Sequence, residues 1–441
     1  MKTRIRGAHI VTCDAKNSAF VGDVLVSGRT IEAIGPKVHV EGLVREIDGT
    51  GCAVIPGFVQ AHVHLCQAIM RGMCDDLPLL EWLRKRVWPL EAAHDATSLA
   101  ASAELGLVEM SRAGTTTILD MGTVHHYEVV FEACMRAGMR VVGGKTMMDV
   151  GEGVPRGLRE TTAASLAESD RLMRSFTGAG EGRVHYAYSP RFILSCSEKL
   201  VRGVVERALE SGTRMHSHAA EHPGEVEEVT RRFGGGDVET LRAWGFKGPR
   251  AVLAHGVQLT MAEGKRVAKD QTRFVHCPSA NLKLGSGIAP VHDLQQLGVV
   301  FGLGADGAPC NNNLDPWIEM RHAALLAKVR TGVTTLDARA ALRLATIDGA
   351  RALAMDAEIG SIEHGKRADL VVVRIDGAHQ VPSPDVVSAL VYATKAADVE
   401  HVMCDGEWLV SRGESTRFDE GAVIATAQRE AQKLLKRAKL R

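Results

Sequence analysis

The sequence lacks the long apolar runs of a membrane protein and the charge imbalance of a nucleic-acid-binding protein. No apolar run in its 441 residues approaches the length of about 20 that spans a bilayer. The N-terminal stretch, MKTRIRGAHIVTCDAKNSAF, has no apolar core of signal-peptide length. Lysine and arginine number 53, as do aspartate and glutamate, and no basic patch stands out. We therefore expect neither a membrane nor a nucleic-acid partner.

Paired cysteine motifs are missing as well. The nine cysteines are scattered along the chain, and no two of them have the C-x-x-C spacing. We interpret them as reduced thiols of a cytoplasmic protein. The P-C-x-x-C motif of the zinc deaminases that act on cytidine or nucleic acids is also absent, which argues against that class.

The sequence does contain a regular alternation of short apolar runs with longer helical patterns. The apolar runs from Val54 onward are VIPGFVQAHVH, GTTTILDMG, MRVVGGKTMMD, RVHYAYSP, TRMHSHAAE, RAVLAHGV, TRFVHCPSAN and GVVFGLGADG, eight in all. Such alternation is typical of strand–helix units with a parallel sheet. Eight units favour an α/β fold of the (β/α)8 TIM-barrel type, which takes about 250 residues.

Both ends of the chain have the pattern of β structure. Residues 1–53 form short apolar stretches with turns between them, and GSIEHGKRADLVVVRI and VEHVMCDGEWLVSRG return to strand-like alternation. We therefore predict a small β-sandwich domain built from residues 1–53 and 363–441, the latter ending in a helix. Residues 54–362 form the barrel in this prediction.

The first apolar run ends in two histidines, His62 and His64. Residues i and i+2 of a strand project to the same face, so these imidazoles can bind one metal ion. In barrels of this kind the catalytic groups lie at the C-terminal ends of the strands. Later runs end in further polar side chains, namely His216, His218, Glu221, His255 and Asp306. Together these residues predict a metal site with three or four nitrogen and oxygen ligands and one open position.

These motifs resemble those of the amidohydrolase superfamily over nearly the whole chain. The resemblance rests on PGFVQAHVHL, HSHAAE, VLAHGV, CPSANLKLGSGIAPV, LGADGAPCNNNLD, LATIDGARAL and IGSIEHGKRADLVVV. Within the branch of cytosine and adenosine deaminases and chlorohydrolases, RGMCDDLPLLEWLRKRVWPLE is most similar to enzymes that deaminate S-adenosylhomocysteine, 5'-methylthioadenosine and related adenosines. The resemblance implies a barrel with a β-sandwich made from both chain ends.

The resemblance also implies roles for single residues. The implied metal ligands are His62, His64, His218 and Asp306. The implied catalytic groups are Glu221 as proton shuttle, Asp306 as the base that takes a proton from water, and His255 beside that water or the developing oxyanion. The implied substrate contacts are Glu221 at the ring nitrogen, Glu91 at the ribose hydroxyls, and Lys145, Arg156 and Tyr188, where close relatives carry two arginines and a histidine.

The activity that follows from the resemblance is the hydrolytic deamination of an adenosine-like nucleoside. The candidate substrates are S-adenosylhomocysteine, 5'-methylthioadenosine, 5'-deoxyadenosine and adenosine, each giving ammonia and an inosine-type product. We expect one divalent metal ion per subunit, Zn²⁺ or else Fe²⁺. The partners we expect are a small-molecule substrate and further copies of the same chain.

Three alternatives on the same scaffold stay open. The chain could deaminate guanine or another purine base, or hydrolyse an s-triazine, because such enzymes share most of these motifs. A binuclear site would need a carboxylated lysine at the end of the fourth run, which reads YAYSPRF and contains no lysine. An inactive structural homologue would have lost ligands, whereas every ligand position here is filled.

Overall fold

The barrel is closed and has the eight parallel strands that the sequence predicts. The structure is a computed structural model, and it describes residues 2–440. The barrel strands are Phe58–Val63, Thr115–Met121, Arg140–Gly144, Val184–Pro190, Arg214–Ala219, Ala251–His255, Arg273–His276 and Phe301–Leu303, and the short strand Thr146–Met147 pairs with the fourth. The eighth strand pairs with the first through Leu303 and Gln60, and the fourth pairs with the fifth, which completes the circle. The predicted barrel is therefore confirmed.

Helices cover the outside of the barrel and connect its strands. Those of eight or more residues are Ala96–Arg112, Glu128–Ala137, Thr162–Phe176, Glu198–Ser211, Pro223–Phe233, Met261–Asp270, Pro316–Thr331, Ala338–Ala345 and Glu420–Ala438. Shorter α-helices are Leu79–Trp82, Trp88–Ala92, Ala179–Gly182, Asp237–Ala243, Pro278–Lys283, Val291–Gln296, Ala308–Asn311, Ile347–Ala352 and Val386–Tyr392. The 3₁₀ turns are Leu65–Met70, Arg156–Leu158, Ile193–Ser195 and Ala396–Asp398, and Leu83–Val87 is a π-helical turn.

The helix boundaries follow from local capping chemistry. Asp95 and Ser98 form a capping box at the start of Ala96–Arg112, and the Ser197 side chain accepts the backbone N–H of Leu200. Such side chains satisfy N–H groups that the first helical turn leaves unpaired. No helix within residues 2–440 is long and apolar enough to cross a membrane.

The two chain ends form one β domain, as predicted. Its strands are Lys2–Val11, Ala19–Ser27, Thr30–Gly35, Val44–Asp48, Cys52–Pro56, Leu370–Arg374, Val399–Cys404, Glu407–Ser411 and Glu414–Ser415, joined in one mixed sheet. The strands Cys52–Pro56 and Leu370–Arg374 pair antiparallel and so connect the N-terminal part to the C-terminal part. The terminal helix, Glu420–Ala438, packs against the barrel, where Nη1 of Arg437 lies 3.0 Å from Oδ2 of Asp95.

The first apolar run is two strands rather than one. Cys52–Pro56 belongs to the terminal sheet, and the first barrel strand begins at Phe58. Gly57 separates them, and a Cβ at this position would lie 2.2 Å from Oγ1 of Thr116. The division between residues 53 and 54 therefore falls inside a strand of the terminal sheet, and the domain boundaries remain predictions.

Candidate active site

Four side chains from three barrel strand ends meet in one buried cluster. They are His62, His64, His218 and Asp306, and one ligand atom from each lies within 4.8 Å of the others. His62 and His64 come from the end of the first strand, His218 from the fifth, and Asp306 follows the eighth. The structure thus brings together the four residues that the sequence predicts as metal ligands.

The imidazoles of His64 and His218 face each other through their unprotonated Nε2 atoms. Nδ1 of His64 lies 2.7 Å from the carbonyl oxygen of Met121, and Nδ1 of His218 lies 2.6 Å from that of Arg191. A carbonyl only accepts, so each Nδ1 carries the proton and, in a neutral ring, each Nε2 carries a lone pair. The two Nε2 atoms are 3.2 Å apart. Two lone pairs at that distance repel unless a cation lies between them, so the cluster fits a metal ion.

His62 completes the donor set in the same way. Its Nδ1 lies 2.8 Å from Nε2 of His216. Its own Nε2 is buried without a hydrogen-bond partner among the described residues and lies 3.2 Å from Oδ1 of Asp306. Burial lowers the pKa of His62 to about 4 and that of His64 to about 3, so both rings are neutral at pH 7. Neutral imidazole is the form that binds a metal ion.

A second group of side chains shares Asp306 with the metal cluster. Nε2 of His255 lies 3.5 Å from Oε2 of Glu221 and 3.9 Å from Oδ2 of Asp306. Nδ1 of His255 is 3.0 Å from the amide oxygen of Asn281, which only accepts, so the proton is on Nδ1. Burial and the charges of Glu225 and Asp306 raise the pKa of Glu221 well above its usual value. A carboxylic acid that holds its proton can act as a general acid.

Three residues at or beside these groups have a strained backbone conformation. Ala220, His255 and Asp306 all have positive φ angles, of 54°, 80° and 64°. For residues other than glycine this conformation costs free energy and persists only where the surroundings hold it. At Ala220 the backbone N–H donates to Oδ2 of Asp237 at 2.5 Å, and the next N–H, of Glu221, donates to Oε2 of Glu225 at 3.1 Å. Two buried carboxylates therefore fix the backbone that carries Glu221.

A small pocket is lined by His64, His218 and Asp306 of the cluster and by Glu221 and His255. Its remaining wall comes from the segment after the first strand and from the end of the fourth, through Gln67, Leu79, Trp82, Leu83, Arg191 and Phe192. The free volume is about 20 Å³. That volume is of the order of one water molecule, whereas pockets for small organic ligands enclose about 300–1,000 Å³. A purine can therefore enter only if part of this wall moves.

Glu91 lies next to the pocket and is paired with protein groups. Its Oε2 accepts a hydrogen bond from Arg191 at 2.6 Å, and its Oε1 accepts one from Gln67 at 2.8 Å. All three side chains are buried. A carboxylate has about four lone-pair sites, so these two bonds leave Glu91 able to accept more.

The other three predicted substrate contacts are not among the residues that line the pocket. Tyr188 points outward from the fourth strand, and its hydroxyl donates to Asp170 of helix Thr162–Phe176 at 2.7 Å. The Lys145 ammonium is buried and forms an ion pair with the partly buried Glu160. Arg156 is exposed at a 3₁₀ turn. Strand alternation explains Tyr188, because only every second side chain of a strand faces the barrel interior.

Arg191 and Gln67 are the two polar pocket residues that the sequence motifs did not predict. Arg191 immediately follows the fourth strand, which ends at Pro190. The rule that active sites collect at the C-terminal ends of barrel strands could have selected it. Gln67 lies in a 3₁₀ turn three residues after His64, and no spacing in the sequence distinguishes it from an ordinary polar residue.

Comparison with known proteins agrees with this geometry. The profile described as "Amidohydrolase family" matches residues 53–409, which is most of the chain. The chain belongs to the amidohydrolase family. This amidohydrolase is 39% identical over 419 residues to a 5-methylthioadenosine/S-adenosylhomocysteine deaminase of Haloarcula marismortui, covering 94% of this chain and 95% of that protein. It is 38% identical to a 5'-deoxyadenosine deaminase of Methanothermobacter thermautotrophicus, with 94% and 95% covered.

Among solved structures, the amidohydrolase is similar to an adenosine deaminase from Xanthomonas campestris that was crystallised with bound zinc. The two structures superpose with a TM-score of 0.93 at 30% sequence identity. The match covers 98% of each chain. The similarity therefore extends over both the barrel and the terminal β domain.

Proposed function

We propose that this amidohydrolase is a metal-dependent hydrolytic deaminase of adenosine-type nucleosides, acting on the C–N bond of a cyclic amidine. The observation that carries the proposal is the arrangement around Asp306. Three neutral imidazoles and this carboxylate converge on one point, and the acid Glu221 lies beside them across His255. Hydrolytic deamination needs a nucleophilic water on one side of the purine and a proton donor for the ring nitrogen on the other.

The donor set fits a divalent metal ion held by His62, His64, His218 and Asp306. We propose Zn²⁺, with Fe²⁺ as the other candidate, because both accept imidazole and carboxylate ligands. The zinc in the Xanthomonas campestris adenosine deaminase supports this choice. When bound, such an ion supplies a Lewis acid that lowers the pKa of water and so provides a nucleophile at neutral pH.

Asp306 and Glu221 transfer the protons of the reaction. Asp306 takes a proton from the attacking water, since its Oδ2 is the carboxylate oxygen that faces His255. His255 presents the unprotonated Nε2 to the same space, where it accepts a hydrogen bond from the attacking water and so orients it. Glu221 donates its proton to the ring nitrogen as the adjacent carbon is attacked. It then takes the proton of the newly added hydroxyl group and passes it to the departing ammonia, and the proton held by Asp306 returns to Glu221. General acid–base help of this kind contributes about 10²–10⁴-fold to the rate.

The nucleoside class follows from the relatives and from Glu91. The named substrates of the 5'-methylthioadenosine/S-adenosylhomocysteine and 5'-deoxyadenosine deaminases share a 5'-deoxyadenosyl group, which contains adenine and the 2'- and 3'-hydroxyls of ribose. We propose that Glu91, already oriented by Arg191 and Gln67, accepts hydrogen bonds from the ribose hydroxyls.

The segment Leu79–Val87 includes a π-helical turn, a feature that is frequent at functional sites, and we propose that it moves outward to admit the substrate.

We place the enzyme in the cytoplasm. All nine cysteines are unpaired and buried, which suits a reducing compartment.

A substrate panel tests the proposal. The purified, metal-loaded protein is offered 5'-methylthioadenosine, S-adenosylhomocysteine, 5'-deoxyadenosine, adenosine, adenine, guanine and a chlorinated s-triazine. Ammonia release is measured for the purines, together with the absorbance change that accompanies conversion of adenine to hypoxanthine, and chloride release is measured for the triazine. We expect the highest kcat/KM among the four nucleosides. Turnover of guanine or the triazine alone would replace the proposal with the corresponding alternative, and no turnover at all would favour an inactive homologue.

A further inference from the structure

The three histidines at the metal site each direct Nδ1 at an acceptor. For His64 and His218 that acceptor is a backbone carbonyl, of Met121 and of Arg191. For His62 it is a side chain, Nε2 of His216, at 2.8 Å. A backbone carbonyl is present whatever residue occupies the position. Among these three ligands, His62 therefore depends on a side-chain contact for the orientation of its ring.

The direction of the hydrogen bonds between the two rings is determined by the backbone. Nδ1 of His216 lies 3.1 Å from the carbonyl oxygen of Val252 on the neighbouring strand, so Nδ1 carries the proton. The neutral ring of His216 then has a lone pair on Nε2, which can only accept from His62. The proton of His62 is consequently on Nδ1, and its Nε2 is left bare toward Asp306.

We infer that His216 is a positioning residue that makes His62 bind the metal through Nε2. This inference rests on the proposed metal site and extends it to a residue outside the cluster of four ligands. His216 is completely buried, and its ring nitrogens are accounted for by Val252 and His62. Such outer contacts of a ligating histidine fix its tautomer and its ring orientation.

Metal affinity is the direct test, because it does not depend on knowing the substrate. We would compare wild type with His216→Leu, which removes the acceptor, and with His216→Gln, whose amide oxygen can occupy the position of Nε2. The Kd for Zn²⁺ is measured by competition with a chelator of known affinity. We expect His216→Leu to bind Zn²⁺ about 10- to 100-fold more weakly, the range found when such an outer contact is lost. His216→Gln should stay within a few-fold of wild type.

Two further measurements make the result decisive. His185→Gln replaces a histidine near the start of the fourth barrel strand and should leave the Kd unchanged. The visible spectrum of the Co²⁺-substituted protein should shift in His216→Leu and resemble wild type in His216→Gln, because it reports the ligand geometry directly. If His216→Leu does not fold, His216→Asn, which is too short to reach His62, takes its place with the same expected loss.

Wild-type affinity in the variant that lacks the acceptor would overturn the inference. An equal loss in the Gln variant would also overturn it, because the loss would then come from packing and not from the acceptor. A failure of the proposed function would look different: wild-type protein would bind Zn²⁺ with the expected dependence on residue 216 but would release no ammonia from the nucleosides.

Discussion

The carboxylate of Glu91 and the guanidinium of Arg191 form a buried ion pair, with Oε2 and Nη1 2.6 Å apart. The two residues are 100 positions apart in the sequence and meet at the wall of the pocket. Arg191 also supplies, through its backbone carbonyl, the acceptor for Nδ1 of His218. One strand end therefore supports both the metal site and the side chain that we assign to the ribose.

The first prediction concerns that assignment. Glu91→Gln should lower kcat/KM for adenosine by about ten- to a hundredfold, because a hydrogen bond to a charged group is worth about 1.5–3 kcal/mol. The loss should be much smaller for 2',3'-dideoxyadenosine and for adenine, which lack the ribose hydroxyls. The three rates are measured side by side, with Arg191→Gln as the comparison variant.

Equal losses on all three substrates would contradict the ribose contact. That pattern, shared by Arg191→Gln, would mean that Glu91 acts by holding Arg191 in place. Breaking a buried ion pair leaves an uncompensated charge and costs about 3–5 kcal/mol, so the free energy of unfolding of each variant is measured as well.

The second prediction concerns the metal ligands. His62→Ala or His64→Ala should remove the bound metal and the deaminase activity together, because each takes one of three nitrogen ligands from the site. Metal content is determined by elemental analysis and activity by ammonia release. His39→Ala, at an exposed position, serves as the control and should retain both. Full metal content with normal turnover in either ligand variant would show that the ligand assignment is wrong.

The barrel and the metal cluster could be predicted because both follow from local patterns. Strand alternation puts His62 and His64 on one face, and the barrel collects the strand ends of His218 and Asp306 on the same rim. Tyr188 could not be placed in this way, since the choice between its two possible faces depends on the partner Asp170 in a distant helix. Lys145 likewise forms an ion pair with Glu160, and its side chain does not line the pocket.

Details of hydrogen bonding were also beyond the sequence. Nothing in HSHAAE shows that His216 contacts His62, because that contact depends on the distance between two strands. His222, which follows Glu221, has a structural role that the sequence does not indicate. Its Nδ1 accepts the backbone N–H of Gly224 at the start of helix Pro223–Phe233. Predicting such contacts requires knowledge of how the backbone packs, whereas the order of strands and helices is enough to predict which residues lie at strand ends.

The third prediction concerns the proton shuttle. Glu221→Gln should leave the metal in place and lower kcat by about 10²–10⁴-fold, because glutamine has nearly the same shape but cannot transfer a proton. Glu227→Gln, an exposed change on the following helix, is the matched control and should behave like wild type. A Glu221→Gln enzyme within a few-fold of wild type would make Glu221 a structural residue.

The fourth prediction concerns the buried carboxylate that holds the backbone before Glu221. Asp237 accepts the N–H of Ala220 through Oδ2 and that of Val238 through Oδ1. Asp237→Asn keeps only one acceptor and should cost about 1–3 kcal/mol of unfolding free energy, measured in urea. It should also lower kcat while the metal stays bound, because Glu221 loses its fixed position. Asp76→Asn, at an exposed loop position, should change neither quantity; an unaltered kcat in Asp237→Asn would separate this carboxylate from catalysis.

The most direct test of the account is the dependence of nucleoside deamination on the metal. The protein is stripped with a chelator, the residual metal is quantified, and the conversion of 5'-methylthioadenosine to its inosine-type product is followed by absorbance and by ammonia release while Zn²⁺ is added back. The account predicts no conversion without metal and full activity at one equivalent of Zn²⁺ per chain. Undiminished conversion by the metal-free protein, or none after one equivalent has bound, would contradict it.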